Sequence, residues 1–405
     1  MKLRRLVVLG SSALLGAFVV RAVEMGEPRD VPPLFAEGEP QTAEEWTAVR
    51  RPALKTLLED EVYGRRPVER PPHLAFAVVE ENPAALGGKA TMKRVRIEYG
   101  GAFGTNAFTC VAYIPNAARR VPAFLLIDIF GPGQVMEAGP EACVRLERIG
   151  YWPKDEIVSR GYAAVRFFFN EVTPDRNHGN TLGVFAAFTD VARQYRAGQA
   201  TEWGALSAWG WGASRVLDWI ETERSIDAAH VAVVGHSRGG KTALVAAAWD
   251  ERFAMACSND SGAGGAKLHH VDLPSSEHIA HSMGWARFWY AQRYVRWVNR
   301  DLETPFDQHM LVALVAPRLV CIGSATDDAH AGPYGEYLTA RLASPAWRVF
   351  GLKGLVSDGF PPPDSPQQEG DISYHVRTGK HDLTRFDWKV YMDFADRHGW
   401  RTAGD

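Results

Sequence analysis

Uninterrupted apolar runs recur along the chain and predict strands that are buried on both faces of a sheet. Phe124–Ile127 is a clear example, and Gly131-Pro132-Gly133 follows it as a turn. Strands are predicted at Leu74–Val79, Ala90–Tyr99, Phe108–Ile114, Ala123–Ile129, Ala163–Phe169, His230–Val234, Arg252–Ser258, Leu319–Ile322 and Tyr374–Arg377.

Apolar residues three and four positions apart predict amphipathic helices before and between these strands. In the stretch from Arg50 to Gly64, one face carries apolar residues and the glycine is a stop signal. Further helices are predicted at Ala213–Glu223, Lys241–Trp249 and Asp387–His398. Strands first, then strands alternating with helices, predict an α/β fold whose sheet begins antiparallel and continues parallel.

The first residues have the profile of an export signal. Lys2, Arg4 and Arg5 are followed by an uncharged run from Leu6 to Val20. As a helix, this run would span about 22 Å, short of a hydrocarbon core of about 30 Å. We expect a signal peptide over residues 1–22, with an uncleaved anchor as the alternative, because the cleavage site is weak. An extended lead-in (23–45) and one domain (46–405) would follow, in a secreted or periplasmic protein.

The charge balance limits the classes of function. The 405 residues carry 45 basic and 48 acidic side chains, a net charge of −3, so the basic surface of a nucleic-acid-binding protein is not expected. A hydrophobic fraction of 46% excludes general disorder. The four cysteines show no zinc-ligand spacing. Cys257 and Cys321 are either paired neighbours or buried thiols, and we favour buried thiols.

Histidines and aromatic residues offer weaker signals. A zinc site would need more ligands than a shared helix face offers, so surface or site-rim histidines are favoured for the group His269, His270, His278 and His281. A sugar-stacking platform or core packing would each account for the group Trp203, Trp209, Trp211 and Trp219. The aromatic residues from Trp285 to Trp297 have near-helical spacing and are interpreted as core.

One octapeptide, Gly235-His236-Ser237-Arg238-Gly239-Gly240-Lys241-Thr242, fits two chemistries. It matches G-x-S-x-G, the nucleophile elbow, and also G-x-x-x-x-G-K-T, the phosphate-binding P-loop. A P-loop needs a downstream strand that ends in Asp for Mg²⁺, but the best such run, Phe124–Asp128, lies upstream. We therefore favour the elbow.

The elbow requires an acid and then a histidine further along the chain. Asp327 and Asp328 follow the predicted strand Leu319–Ile322, and His381 follows Tyr374–Arg377. The histidine accepts the serine proton, and the carboxylate orients the imidazole and stabilises its charged form. This order predicts a serine hydrolase.

Around Ser237, the segment Val233-Val234-Gly235-His236-Ser237-Arg238-Gly239-Gly240-Lys241-Thr242-Ala243-Leu244 resembles the G-x-S-R-x-G-K signature of the glucuronoyl esterases, carbohydrate esterase family 15. The resemblance extends along nearly all of the chain after residue 22. Further similar segments are Arg51-Pro52 through Val62-Tyr63-Gly64-Arg65, Ala208-Trp209-Gly210-Trp211-Gly212-Ala213-Ser214-Arg215, Asn259-Asp260-Ser261-Gly262-Ala263-Gly264-Gly265-Ala266, Pro305-Phe306-Asp307-Gln308-His309 and Gly379-Lys380-His381-Asp382.

The resemblance implies an α/β-hydrolase fold, a three-layer sandwich around a mostly parallel sheet. It implies hydrolysis of the ester between 4-O-methyl-glucuronic acid of glucuronoxylan and a lignin alcohol, without metal, other cofactor or nucleotide, and we expect a monomer. An acetyl-xylan or other carbohydrate esterase, or a non-catalytic carbohydrate-binding relative, are the alternatives.

Residue by residue, the resemblance makes Ser237 the nucleophile, His381 the base and Arg238 the oxyanion-stabilising residue. The triad acid is Asp328, which we favour, or Asp260, where fungal members carry a longer Glu. The alternative for Arg238 is an ordinary arginine at a helix start, paired to a surface carboxylate.

The resemblance also implies substrate-binding residues. Lys241 and Glu277 would bind sugar hydroxyls, although Lys241 is alternatively a solvated helix residue and the sequence around Glu277 matches poorly. Two positions depart from the family. His236 stands where fungal members have a disulfide-bonded Cys, and His330 stands where members usually carry a Trp beside the sugar. A neutral His330 would still be able to hydrogen-bond a hydroxyl.

Overall fold

The computed structural model describes residues 23–35, 42–117, 120–131, 140–190 and 202–401. The expected signal peptide over residues 1–22 and part of the lead-in lie outside the described residues. The predicted domain boundaries therefore stay predictions. No helix in the described ranges has both the length and the apolar character needed to cross a membrane.

A nine-stranded sheet forms the centre of the fold, in the order β1-β2-β3-β5-β4-β6-β7-β8-β9. The strands are β1 (His73–Ala84), β2 (Ala90–Gly101), β3 (Gly104–Pro115), β4 (Val121–Asp128), β5 (Ala163–Phe168), β6 (Ile226–His236), β7 (Met255–Asn259), β8 (Leu319–Ala325) and β9 (Ile372–Arg377). Strands β1, β2, β3 and β5 pair antiparallel, and all later pairs are parallel. The predicted antiparallel start and parallel continuation are confirmed.

The apolar runs in the sequence match the burial of the strands. Every residue of β4, β7, β8 and β9 is buried, whereas β1 at the sheet edge is mostly exposed. Helices on both sides of a parallel sheet exclude water from its two faces, so such strands need no polar alternation.

Nine helices pack around this sheet in the described residues, apart from shorter turns. They are α1 (Arg51–Leu58), α2 (Pro140–Ile149), α3 (Lys154–Ser159), α4 (Ala205–Ile220), α5 (Arg238–Trp249), α6 (Ile279–Trp285), α7 (Gln308–Ala313), α8 (Pro333–Ala343) and α9 (Arg385–Arg397). The short helical segments are Ala43–Glu45, Trp46–Arg50, Glu59–Tyr63, Ala85–Gly88, Phe169–Val172, Gly179–Thr181, Val184–Phe188, Arg287–Trp289, Gln292–Trp297, Asp301–Glu303 and Pro345–Arg348.

Helix α4 is buried along its whole length and begins at Ala205, well before the predicted start at Ala213. Its glycines weaken the helical pattern but allow close packing. A Cβ at Gly210 would lie 3.3 Å from the backbone nitrogen of Ala246 in α5, and one at Gly212 would lie 2.6 Å from a methyl group of Val172. Close packing against neighbours overrides the poor intrinsic propensity here.

Cys257 in β7 and Cys321 in β8 face each other in register, and both are free, buried thiols. The favoured interpretation, buried thiols, is confirmed, and a disulfide between these two strand neighbours is wrong. Cys110 is also buried, whereas Cys143 in α2 is exposed.

Strands β6, β7, β8 and β9 are consecutive neighbours in the sheet and run parallel. Their carboxyl ends therefore lie along one edge. The loops that leave this edge carry Ser237, Asp260, Asp328 and His381. Residues distant in sequence converge there because of strand order alone.

Candidate active site

Ser237 occupies a sharp turn between the last residue of β6 and the first residue of α5. Its backbone has φ 57° and ψ −124°, a region that is unfavourable for a residue with a side chain. The turn is closed tightly, since a Cβ at Gly235 would lie 2.0 Å from the carbonyl oxygen of Gly239. The Ser237 N–H donates to the carbonyl of Asn259 over 2.8 Å. This is the geometry expected of a nucleophile elbow.

His381 and Asp328 are joined by a hydrogen bond of 2.5 Å between Nδ1 and Oδ2. The carboxylate is buried, whereas 44% of the His381 side chain is exposed. Asp328 Oδ1 also accepts from the backbone N–H of Ala331 at 3.2 Å. Because Nδ1 is bound to the acid, Nε2 is the ring nitrogen that remains available to accept a proton.

His236 places the base next to the elbow. The His236 and His381 ring centroids lie 4.4 Å apart, and His236 immediately precedes Ser237. Burial, together with the proximity of His381, lowers the pKa of His236 well below its usual range. Its Nδ1 lies 2.6 Å from Asn259 Oδ1, so the neutral ring is also fixed in orientation. Packing against a neutral ring avoids like-charge repulsion when His381 becomes protonated.

Asp260, the alternative acid, lies close to this pair but does not bind the histidine. One ligand atom each from Asp260, Asp328 and His381 lies within 4.8 Å of the others. Asp260 Oδ2 accepts from Arg377 Nη2 at 3.3 Å, and Oδ1 has no hydrogen-bond partner among the described residues. Burial raises the pKa of Asp260 well above its usual range, despite the opposing charge of Arg377. The geometry therefore favours Asp328 as the partner of His381.

Arg377 braces the loop that carries His381, a contact that the sequence did not predict. At the end of β9, its guanidinium donates to the carbonyls of Lys380 and Asp382, the two residues that flank the histidine. Its Nε also donates to Asp387 Oδ2 at 2.9 Å. A loop held on both sides by one buried cation keeps the imidazole in place.

Arg238 opens α5, so its backbone N–H lies in the first turn, where helical N–H groups have no intrahelical acceptor. Its Nη1 donates to Asp175, and its guanidinium carbon lies 5.4 Å and 5.0 Å from the ring centroids of Trp285 and Trp289. The sequence alternative of a surface carboxylate partner is wrong, because the Asp175 side chain is only 3% exposed. Arg238 Nε has no hydrogen-bond partner among the described residues.

Lys241 and Glu277 form a buried ion pair with 2.7 Å between Nζ and Oε2. Lys241 also donates to the Ala263 carbonyl at 2.5 Å, and Ser282 Oγ donates to Glu277 Oε1 at 2.7 Å. Burial alone would raise the pKa of Glu277, but Lys241 and then Ser282 hold it below its usual value. The interpretation of Lys241 as a solvated helix residue is wrong. Its engagement with a carboxylate also removes the cation that a P-loop would aim at phosphate.

His330 is exposed at the rim of this ion pair. Its carbonyl accepts from the Glu277 N–H at 2.6 Å, and its ring centroid lies 5.7 Å from that of His281. Partial burial lowers the pKa of His330, so the ring is neutral at neutral pH. The backbone contact ties the position of His330 to that of Glu277.

The proposed tryptophan platform is wrong for the residues that suggested it, since Trp203, Trp209, Trp211 and Trp219 are all buried. The core interpretation is wrong for Trp285, which is 51% exposed. Helix α6 is too short for its spacing to predict a buried face.

The histidine cluster is engaged in hydrogen bonds and ion pairs rather than in one ligand set. His270 Nδ1 lies 2.7 Å from Asp307, His269 Nε2 lies 3.3 Å from the Tyr294 hydroxyl, and His278 contacts Asp301. Among the described residues, the group Asp260, Asp328 and His381 alone brings three potential metal-ligand atoms together. The direct bond between His381 and Asp328 is the arrangement in which a carboxylate orients a catalytic imidazole.

Comparisons with known proteins find relatives among carbohydrate esterases. A family model described as "Glucuronyl esterase, fungi" matches residues 148–351. The chain is 34% identical over 379 residues to "Carbohydrate esterase MZ0003" from an unknown prokaryotic organism, covering 88% of this chain and 86% of that protein. It is 34% identical over 156 residues to the 4-O-methyl-glucuronoyl methylesterase of Hypocrea jecorina, covering 37% of this chain and 34% of that protein.

Solved structures extend the similarity over most of the described chain. A glucuronoyl esterase from Solibacter usitatus superposes with a TM-score of 0.80 at 33% identity, covering 90% of this chain and 97% of that one. A promiscuous esterase of carbohydrate esterase family 15 from a marine bacterial metagenome gives a TM-score of 0.80 at 31% identity, covering 94% and 98%.

Proposed function

We propose that this chain, which belongs to the glucuronoyl esterases of carbohydrate esterase family 15 and is a carboxylic ester hydrolase, works through Ser237, His381 and Asp328. The observation that carries the proposal is the 2.5 Å bond between Asp328 and His381 beside the strained Ser237 turn. A base oriented by a buried acid next to a half-buried serine on an elbow is the arrangement of acyl transfer.

In the first half-reaction, the Ser237 oxygen attacks the ester carbonyl while His381 Nε2 takes the hydroxyl proton. Asp328 stabilises the resulting imidazolium through Nδ1. Negative charge develops on the former carbonyl oxygen, and the first-turn N–H and guanidinium of Arg238 are the groups to stabilise it. The C–O bond to the alcohol then breaks, and His381 donates its proton to the leaving oxygen.

The second half-reaction hydrolyses the acyl-enzyme. Water gives a proton to His381 and adds to the acyl carbonyl, and collapse of the intermediate returns the proton to Ser237 as the free acid leaves. No further co-reactant is required, because water balances the reaction. Asp260 takes no part in these transfers and stays a buried neighbour of Asp328, bound to Arg377.

The acid half of the substrate is a glucuronic acid, and its hydroxyl groups face Lys241, Glu277 and His330 in this proposal. Buried charged groups discriminate strongly between substrates, because a substrate without matching hydroxyl groups leaves these charges without hydrogen-bond partners. The names of relatives, which are 4-O-methyl-glucuronoyl methylesterases, support this assignment. We extend it to esters that join glucuronoxylan to lignin alcohols, and we expect the enzyme to act as a monomer. The charged and apolar segments in residues 1–22 support export.

Turnover of benzyl glucuronate by the wild-type enzyme and by Ser237→Ala tests the proposal. We expect hydrolysis by the wild type and loss of at least about a thousandfold in kcat for the variant. A fluorophosphonate probe should label the wild type only. Acetylated xylan serves as the competing substrate: release of acetate without hydrolysis of the uronate ester would contradict the assignment and favour an acetyl esterase.

A further inference from the structure

We propose that Trp285 is a stacking subsite for an aromatic alcohol, the half of the ester that leaves when Ser237 is acylated. The inference rests on the proposed function and adds to it a place for the second half of the substrate. The side chain of Trp285 is 51% exposed, whereas that of its neighbour Trp289 is 1% exposed. A large aromatic ring left half in water beside a reaction centre is a binding feature rather than a packing one.

The ring of Trp285 is held in place from behind. Its centroid lies 4.6 Å from that of Trp289, with the planes at 75°, an edge-to-face contact. Trp289 is itself anchored, since its Nε1 donates to Asp175 Oδ1 at 2.7 Å. A rigid ring loses little conformational entropy when a ligand stacks on it.

The same anchor connects Trp285 to the nucleophile. Asp175 accepts from Arg238 as well as from Trp289, and the Arg238 guanidinium lies 5.4 Å from the Trp285 ring centroid. Arg238 is the residue after Ser237. Trp285 therefore lies within reach of a group attached to the carbonyl that Ser237 attacks.

Helix α6 separates Trp285 from the uronate-binding groups. Glu277 lies just before the helix, Ser282 in the helix holds the Glu277 carboxylate, and Trp285 is the last helical residue. Six residue steps along a helix span about 9 Å. One end of α6 thus supports the acid half of the ester, and the other end is free to meet the alcohol half.

The surroundings of Trp285 favour an aromatic ring over a second sugar. Two polar groups beside its ring, Arg238 Nη1 and Trp289 Nε1, already donate to Asp175. Apart from the two neighbouring residues and the backbone of the same helix, no atom lies within 4 Å of the position that a Cβ on Gly284 would occupy, so the helix faces open space at the residue before Trp285. A sugar needs partners for its hydroxyls, whereas an aromatic alcohol needs a ring face.

The test compares benzyl glucuronate with methyl glucuronate, which share the acid half and differ in the alcohol. We expect Trp285→Ala to lower the ratio of kcat/KM for the benzyl ester to that for the methyl ester by about two- to tenfold, the size of one aromatic contact. Trp285→Phe should keep most of the ratio. Because each variant is compared with the wild type, differences in the leaving groups cancel.

Phe103→Ala provides the matched control, because Phe103 is another exposed aromatic residue, 55% exposed, in the turn between β2 and β3. It should leave the ratio at the wild-type value. An equal loss on both esters for Trp285→Ala would overturn the subsite, and so would a loss seen only with a xylo-oligosaccharide-linked uronate, which would place a sugar there. If the wild type hydrolysed neither ester, the proposed function itself would fail.

Discussion

His381 and Asp328 meet through a 2.5 Å bond although they lie 53 residues apart. Their loops follow β9 and β8, which are paired along six residues from Val320↔Ile372 to Ala325↔Arg377. Backbone bonds continue the pairing into the loops, since Thr326 N donates to Arg377 O at 2.9 Å and Asp327 N donates to Gly379 O at 2.8 Å. The acid and the base are thus fixed by one continuous ladder.

Replacing the acid should show which carboxylate orients the base. For Asp328→Asn, we expect kcat on benzyl glucuronate to fall by roughly 10²–10⁴, because the amide cannot stabilise the imidazolium. For Asp260→Asn, we expect a change within about threefold, since Asp260 does not bind His381 and an amide has nearly the shape of a carboxyl. Steady-state kinetics at neutral pH measures both.

The opposite order of effects would make Asp260 the catalytic acid. Near-full kcat in both variants would contradict the triad altogether. Circular dichroism spectra of the two variants control for misfolding, because Asp260 also receives a hydrogen bond from the loop-bracing Arg377.

The ion pair between Lys241 and Glu277 should matter for both stability and binding. Lys241→Met leaves Glu277 buried without its partner, and we expect a loss of about 3–5 kcal/mol in the free energy of unfolding. The double variant Lys241→Met/Glu277→Leu should recover most of that stability, because it removes both buried charges. We expect its kcat/KM on glucuronate esters to stay low nevertheless.

Denaturant unfolding and ester kinetics on the same three proteins separate the two roles. Recovery of kcat/KM together with stability in the double variant would show that the pair is structural only. That result would leave the sugar hydroxyls without the partners assigned to them.

Glu336 should make stability depend on pH. Burial raises its pKa to about 7, against hydrogen bonds from Ser324 and from the Gly262 and Ser261 N–H groups. Between about pH 4.5 and pH 7, the folded protein therefore holds a proton that the unfolded chain has released, and stability falls as pH rises. The loss is about 3 kcal/mol at pH 7 and changes little above it.

Glu336→Gln is the matched comparison, because its amide oxygen can accept from the same N–H groups and its NH₂ can donate to Ser324. We expect the wild type to be the less stable of the two at pH 8, and the difference to shrink towards pH 4.5. Unfolding curves of both proteins across this range measure it. If the free energies of unfolding of the two proteins changed equally with pH over this range, Glu336 would be ionised throughout it.

The native protein should expose one of its four thiols to a disulfide reagent. Cys143 is exposed, whereas Cys110, Cys257 and Cys321 are at most 1% exposed. Burial also raises the pKa of Cys110 and Cys257, and the thiolate is the reactive form. We expect about one equivalent to react in the folded state and all four after denaturation. A lower count in denaturant would reveal a disulfide.

Much of the fold was predictable because continuous apolar runs and their turns are local signals. The strands around the site, the helix after Ser237 and the closing helix were all found in the sequence. The start of α4 was missed because its glycines serve packing against α5 and Val172, which no local pattern records. Helix α8 is largely buried, so the polar face that would have marked it as a helix is missing.

The site was predictable in its residue types but not in its contacts. The order of serine, acid and histidine pointed to Ser237, Asp328 and His381. Asp260 remained possible as the acid, because the distance from each carboxylate to the histidine depends on three-dimensional geometry. The packing of His236 on His381 joins loops from different strands. The bonds from Arg377 to Lys380 and Asp382 depend on how the loop after β9 folds back on the strand end. The exposure of Trp285 depends on where a short helix ends, which spacing alone does not determine.

The burial of the tryptophans has an optical consequence. All 13 lie in described residues, and Trp285 is the sole one among them with an exposed side chain. A collisional quencher such as acrylamide should therefore quench Trp285 most strongly in the folded enzyme, because Trp152 is half-buried and the other eleven are buried. Shielding of that single emitter by a non-hydrolysable amide analogue of benzyl glucuronate would report occupancy in real time, without any label and without turnover.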